Sequence, residues 1–299
     1  MKFLPAILLA LALPLRAADF FKALKDVKGA VDKVKEKVDT EKVKKAVKTV
    51  KAIRKSAEDI SEEEEHYLGR AVSARLLSSM PPAGSEKLNR YVQAVLMGVA
   101  GTSDRPELYS GWHAQVVQSD EVNAVSAPGG YVFVTTGLLK SLQDEEELAG
   151  VLAHEVAHVS ERHGVKAIKA SRLASAFKLL GSEAADRMST KDQFKLTEHF
   201  GGSVDDVVKS VVKSGYSQDK EFAADKKGAA FAQKAMYDPL GLNRFLERTE
   251  GGKGGFLKTH PSNKKRLKEL DESPLETAPG FAGASARKAR FQARMKELQ

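Results

Sequence analysis

Two histidines and a glutamate stand together as His154-Glu155-Val156-Ala157-His158. Side chains four residues apart share one face of an α-helix, about one turn from each other. Two imidazoles so placed can bind a single metal ion at about 2.0–2.1 Å. Glu155 lies between them in sequence and is turned round the helix, where it can accept a proton from the attacking water instead of ligating. A catalytic zinc takes a third protein ligand and keeps one position open. His163 is the nearest further histidine, but five residues beyond His158 is about 140° round a helix, so it reaches the same ion only if the helix breaks. Glu161 occupies the position where metzincins carry a glycine, which excludes that class.

A second constellation lies downstream in Glu221-Phe222-Ala223-Ala224-Asp225. The two carboxylates are again four apart, so one could bind metal while the other accepts the free N–H of a ligand histidine. Small neighbours at Ala223, Ala224, Gly228 and Ala229 would let this helix approach the first closely. By spacing alone the pair could equally be a solvated acidic face beside Lys226 and Lys227. The absence of cysteine excludes disulfides, thiolate metal sites and a cysteine nucleophile, so any metal must be held by His, Asp or Glu.

The elements that must position these residues follow from local signals. Asp144 with Glu147 is a capping-box pattern opening the motif helix, and Gly164 fits its C-terminal cap. Leu148, Leu152, Val156 and Val159 form the stripe expected to face the core. Upstream, Ser61 and four glutamates start a helix that runs to about Ser79 and stops at Pro81-Pro82. A second helix spans about Ser85 to Ala100. Alternating runs at Trp112–Val117 and Tyr131–Thr135, with Val122–Ala127 entering Pro128-Gly129-Gly130, predict a small antiparallel sheet with a hairpin before the motif helix. Residues 165–216 are expected to form a helical insertion with glycine joints, and another helix to run from Ser217 to about Lys234. The expected class is therefore α+β, mainly helical.

The ends differ from this middle. Residues 1–18 have a basic start, an apolar run from Phe3 to Leu15 and small residues at Ala17 and Ala18, the layout of a secretory signal peptide. Residues 19–60 carry thirteen Lys/Arg against eight Asp/Glu, so +5 of the chain's net +8 sits in this basic helical arm. Valines 27, 31, 34 and 38, then 43, 47 and 50, recur at helical spacing. The arm is either solvated and packed on the protein, or an amphipathic helix that contacts a membrane surface or an envelope protein through residues 20–55. With no aromatic interleaving, nucleic acid is not an expected partner. The catalytic domain is expected over 61–271, and residues 272–299 as a flexible basic tail, Pro/Gly/Ala-rich before a helical end.

Read with Asn123–Val134, Tyr216-Ser217 and His260-Pro261, the two constellations resemble the zinc metallopeptidase family of HtpX and the CAAX prenyl protease, metallopeptidase family 48, in its soluble periplasmic, BepA-like branch. The resemblance covers roughly residues 62–270. It implies a gluzincin-type fold and one zinc held by His154, His158 and Glu221, with Asp225 as the carboxylate behind them. It implies Glu155 as general base, and Asn123 with its strand lining a cleft that binds extended polypeptide substrates. His260 is implied to lie near the metal, either stabilising the oxyanion or filling the open position in a latent state. The implied activity is endopeptidase cleavage of unfolded or misassembled envelope proteins in the periplasm of a Gram-negative bacterium. Gln218 stands where the family usually has arginine, and the helical-repeat domain of the BepA type is absent from this sequence.

Overall fold

The computed structural model describes residues 59–169, 208, 215–249, 260, 262–271 and 283–298. The expected signal segment, the basic arm up to residue 58 and most of the 165–216 insertion lie outside them.

Helix α1 (Glu62–Ser79) opens on a complete capping box: the Ser61 hydroxyl accepts from Glu64 N–H, and the Glu64 carboxylate accepts from Ser61 N–H. Helix α2 (Glu86–Ala100) follows Pro81-Pro82 and buries Leu88, Val92, Leu96 and Val99 along one face. Three short strands come next, β1 (His113–Val117), β2 (Ala124–Ala127) and β3 (Tyr131–Thr135).

The α+β, mainly helical class is found, but the sheet corrects the antiparallel expectation. Strand order is β1-β3-β2; β2 and β3 form the antiparallel hairpin, whereas β1 runs parallel to β3. Alternating hydrophobicity reports burial, not direction. Direction was set by the loop after β1, which carries the chain past the β3 position and delivers β2 to the far edge. The hairpin turn holds Gly129 and Gly130 at φ 75° and 90°, a region that side chains disfavour. The outer edge of β1 is covered, because Pro82 bridges Val117 and the Asn89 carboxamide oxygen accepts from Val116 N–H. Among the described residues, β2 is the edge strand without a partner on its outer side.

A short helix α3 (Thr136–Ser141) leads into α4 (Glu145–Ser160), the motif helix. The expected core stripe is buried, and so is the rest of the helix: every residue from Glu145 to Val159 is inside. Asp144 caps it by accepting from Glu147 N–H at 3.0 Å, while the Glu147 carboxylate accepts from Gln143 N–H in place of the reciprocal capping-box bond. Gly164 is not its cap. The helix stops at Ser160, Arg162 takes a left-handed φ of 54°, and a new helical stretch covers 163–169. Gly164 instead lies against Pro128 and Tyr216, where a Cβ would meet the Pro128 ring at 3.2 Å.

Helices α5 (Gln218–Lys234) and α6 (Gly241–Arg248) pack on α4, and α7 (Asn263–Asp271) packs on both of them. The C-terminal tail is corrected in part. Its last segment is helix α8 (Ala284–Met295), which seats Phe291 in the main core and places Arg287 and Arg290 on the buried carboxylates of Glu146 and Glu145 at the start of α4. Two of the arginines that made the segment read as a flexible basic tail are the groups that dock it. No helix among the described residues is long and apolar enough to cross a membrane.

Candidate metal centre

Helix α4 carries His154, Glu155 and His158 through the protein interior, each no more than 2% exposed. The i,i+4 spacing brings the two imidazoles edge to face, with ring centroids 4.6 Å apart and their Nε2 atoms 3.0 Å apart. Helix α5 packs against this face at the backbone: a Cβ built on Gly228 would lie 2.8 Å from the His154 nitrogen. That approach carries Glu221, fully buried one turn into α5, between the two histidines. Its Oε2 is 3.5 Å from His154 Nε2 and its Oε1 3.7 Å from His158 Nε2.

Donors bound at 2.0–2.1 Å to one tetrahedral ion stand about 3.3–3.4 Å from each other. The three observed separations bracket that value, so the two imidazoles and the carboxylate fit a single divalent ion of the zinc type. His260 joins them: its Nδ1 hydrogen-bonds Glu221 Oε2, and its donor atom lies with those of His154, His158 and Glu221 inside a 4.8 Å cluster. His163 is not one of the four.

Behind the donors, His154 Nδ1 faces Asp225 Oδ1 at 2.8 Å, the carboxylate partner that fixes a metal-binding imidazole with Nε2 free. Asp225 is buried and is itself clamped by Arg266 from α7, whose Nε donates to Oδ2 at 2.9 Å. Burial would raise the Asp225 carboxyl; the Arg266 guanidinium and the His154 ring outweigh it and hold the group well below the usual carboxylate range. Burial would likewise raise Glu221, but the three imidazoles around it hold it well below that range. Glu155 behaves oppositely. Burial lifts its carboxyl to about 7, with His154 and Ser126 pulling the other way, and its Oε1 has no partner among the described residues. A buried carboxylate with a free oxygen and a pKa near neutrality can both take and return a proton.

A small cavity opens beside the donors between Ala124, Val125 and Ser126 of β2 and the side chains of Glu155, Tyr216 and His260. Asn123 stands just before this wall. It is buried, its N–H donates to the Thr135 hydroxyl and its carbonyl accepts from Thr135 N–H, and its side-chain Oδ1 has no partner among the described residues.

Three roles escaped the sequence. Arg266 follows Lys264-Lys265 and reads as part of a solvated basic run, although it is fully buried. Tyr216 stacks on His158 with centroids 4.6 Å apart, and its backbone N–H donates to Glu221 Oε1. His163, set aside because of its helical phase, meets His158 once the helix breaks. Histidine at the end of a two-histidine motif was the available signal. His66 and His113 are far from the cluster, hydrogen-bonded to the Tyr131 hydroxyl and to the Ser110 carbonyl. His199 lies outside the described residues.

The chain is similar in sequence to known proteins. The metalloendopeptidase OMA1 of Schizosaccharomyces pombe mitochondria is 31% identical over 188 residues, covering 61% of this chain and 52% of that protein. The beta-barrel assembly-enhancing protease of Escherichia coli K12 is 24% identical over 226 residues, covering 74% and 46%. A putative protein of the same name from Vibrio cholerae is 27% identical over 235 residues, covering 73% and 46%. The chain thus spans about half the length of these relatives. The sequence model of peptidase family M48 matches residues 86–273, from the start of α2 to just past α7, and so encloses every donor in the cluster. This chain belongs to peptidase family M48.

Proposed function

We propose that the metal is zinc, one per chain, held by His154, His158 and Glu221, and that the enzyme cleaves unfolded or misassembled envelope proteins in the periplasm of a Gram-negative bacterium. The observation that carries this reading is the buried cluster of two imidazoles and one carboxylate with the free carboxylate oxygen of Glu155 beside it. The signal-like start of the chain and the beta-barrel assembly-enhancing relatives support the compartment and the substrate class.

Zinc, when bound, supplies Lewis acidity toward the scissile carbonyl and the attacking water. The remaining chemistry belongs to the chain. An extended polypeptide adds to the open edge of β2, where the hydrogen bonds are to main chain and sequence preference is broad. Asn123, with its free Oδ1 at the start of that strand, is placed to accept from the added backbone. Glu155 takes the proton of the attacking water on its carboxylate and delivers it to the leaving amine. Asp225 and Arg266 keep His154 oriented through the cycle. His260 either donates to the developing oxyanion or occupies the donor position that a substrate must use. An intact Glu155 favours turnover over a purely binding role, since capture alone needs no base.

Cleavage of casein and of an unfolded outer-membrane β-barrel protein, with zinc measured in parallel, tests the reading. Glu155→Gln should retain the metal and lose at least about 10²-fold in turnover. Glu221→Ala should lose tightly held zinc; full zinc content in that variant would sink the ligand assignment.

A further inference from the structure

We infer that His163 is the positioning residue of the zinc ligand His158, accepting the His158 Nδ1–H on its own Nδ1 and so presenting Nε2 to the metal. This rests on the zinc-endopeptidase reading above and adds a residue to it.

The geometry begins with the broken helix. Had α4 continued, residue 163 would point about 140° away from residue 158. Instead Glu161 ends the helix, and Arg162 adopts φ 54°, a left-handed conformation that costs a non-glycine residue free energy and needs external support. The support is visible. The Arg162 side chain reaches the Ile60 carbonyl and lies 3.0 Å from the buried carboxylate of Glu65 on α1, which also holds Arg105. This held turn brings His163, 4% exposed, back onto His158 with ring centroids 5.0 Å apart and the two Nδ1 atoms 2.7 Å apart. Tyr216 lies over both rings, 4.6 Å from one and 5.4 Å from the other.

The chemistry of that contact is constrained. Between two imidazole nitrogens at 2.7 Å, one must donate and the other accept. His158 commits Nε2 to the cluster, where it faces His154 and Glu221, so its proton resides on Nδ1 and His163 is the acceptor. Each ligand histidine therefore has a partner, but of different kinds: Asp225 for His154 and a neutral ring for His158. The difference fits the charges present. Glu221, Asp225 and Glu155 already place three buried carboxyl groups around one buried guanidinium, and a fourth would add further desolvation cost. A neutral acceptor fixes the tautomer without adding charge.

Zinc dissociation constants from chelator competition on the full chain, with kcat and KM at saturating zinc, test this. His163→Leu removes the acceptor at similar volume and should weaken zinc binding about 10–100-fold, lowering kcat more than it changes KM. His163→Asn, whose Oδ1 falls near the Nδ1 position, should recover most of the affinity. Should the leucine variant not fold, His163→Gln places its amide at the Nε2 position and is expected to show the same zinc loss. Wild-type affinity in the acceptor-lacking variant, or an asparagine variant as weak as it, overturns the assignment. His158→Ala in the same titration separates the two readings: zinc kept there removes the ligand set itself, whereas zinc lost there but kept in His163→Leu removes only the role of His163.

Discussion

Gly228 lies directly against the backbone of His154, so closely that a Cβ on it would stand 2.8 Å from the His154 nitrogen and 3.0 Å from its Cα. The contact sets the separation between the two helices that carry the donors, and neither backbone can yield as a flexible side chain would. Gly228→Ala should therefore push α5 outward, costing about 1–3 kcal/mol of stability. It should also weaken zinc binding, because Glu221 moves with the helix. Thermal unfolding and chelator competition on the same variant check both effects; unchanged zinc affinity would show that the donors tolerate a wider helix spacing.

His260 sits on Glu221 inside the donor cluster, and its two proposed roles predict opposite signs. If it occupies the position a substrate must use, His260→Ala unmasks activity. If it donates to the oxyanion, the same change lowers turnover by about 10²–10³-fold. Casein cleavage decides the sign, and unchanged activity refutes both.

Residues 22–55 hold thirteen basic and five acidic side chains, a local charge of +8. If the arm attaches to anionic lipid, removing residues 20–55 should leave peptide hydrolysis intact and reduce co-sedimentation with anionic vesicles at low salt. Unchanged sedimentation assigns the arm to the protein's own surface.

Helix α8 docks on the first turn of α4 through one buried ring and two arginines. Phe291 is 2% exposed in the main core, so Phe291→Ala should cost about 3–5 kcal/mol. Arg290 is half exposed and Glu145 keeps hydroxyl donors from Tyr91 and Tyr237, so Arg290→Ala should cost distinctly less. Chemical denaturation ranks the two. Equal losses would mean that the buried carboxylate depends on its guanidinium more than the helix depends on its ring.

The chemistry was legible in the sequence wherever it depended on a single helix. His154, Glu155 and His158 share one turn, as do Glu221 and Asp225, and the i,i+4 relation fixes their relative directions before anything packs. The helix limits at Ser61 and Ser85 were equally readable, because their caps are local hydrogen bonds, and Ser217 marks the start of α5 without a side-chain cap bond. What required the tertiary structure were relations between elements distant in the chain. Spacing alone left Glu221 and Asp225 as readily a solvated pair as a metal ligand and its partner; the approach of Gly228 to His154 places them inside. Arg266 looks solvated among lysines until α7 buries it on Asp225. The parallel pairing of β1 follows from where a loop lands, which alternation does not encode. His163 reaches His158 only because Arg162 is held in a left-handed conformation by groups a hundred residues earlier, Ile60 and Glu65. Local spacing sets which way side chains point along one helix; only long-range packing decides which of those directions converge.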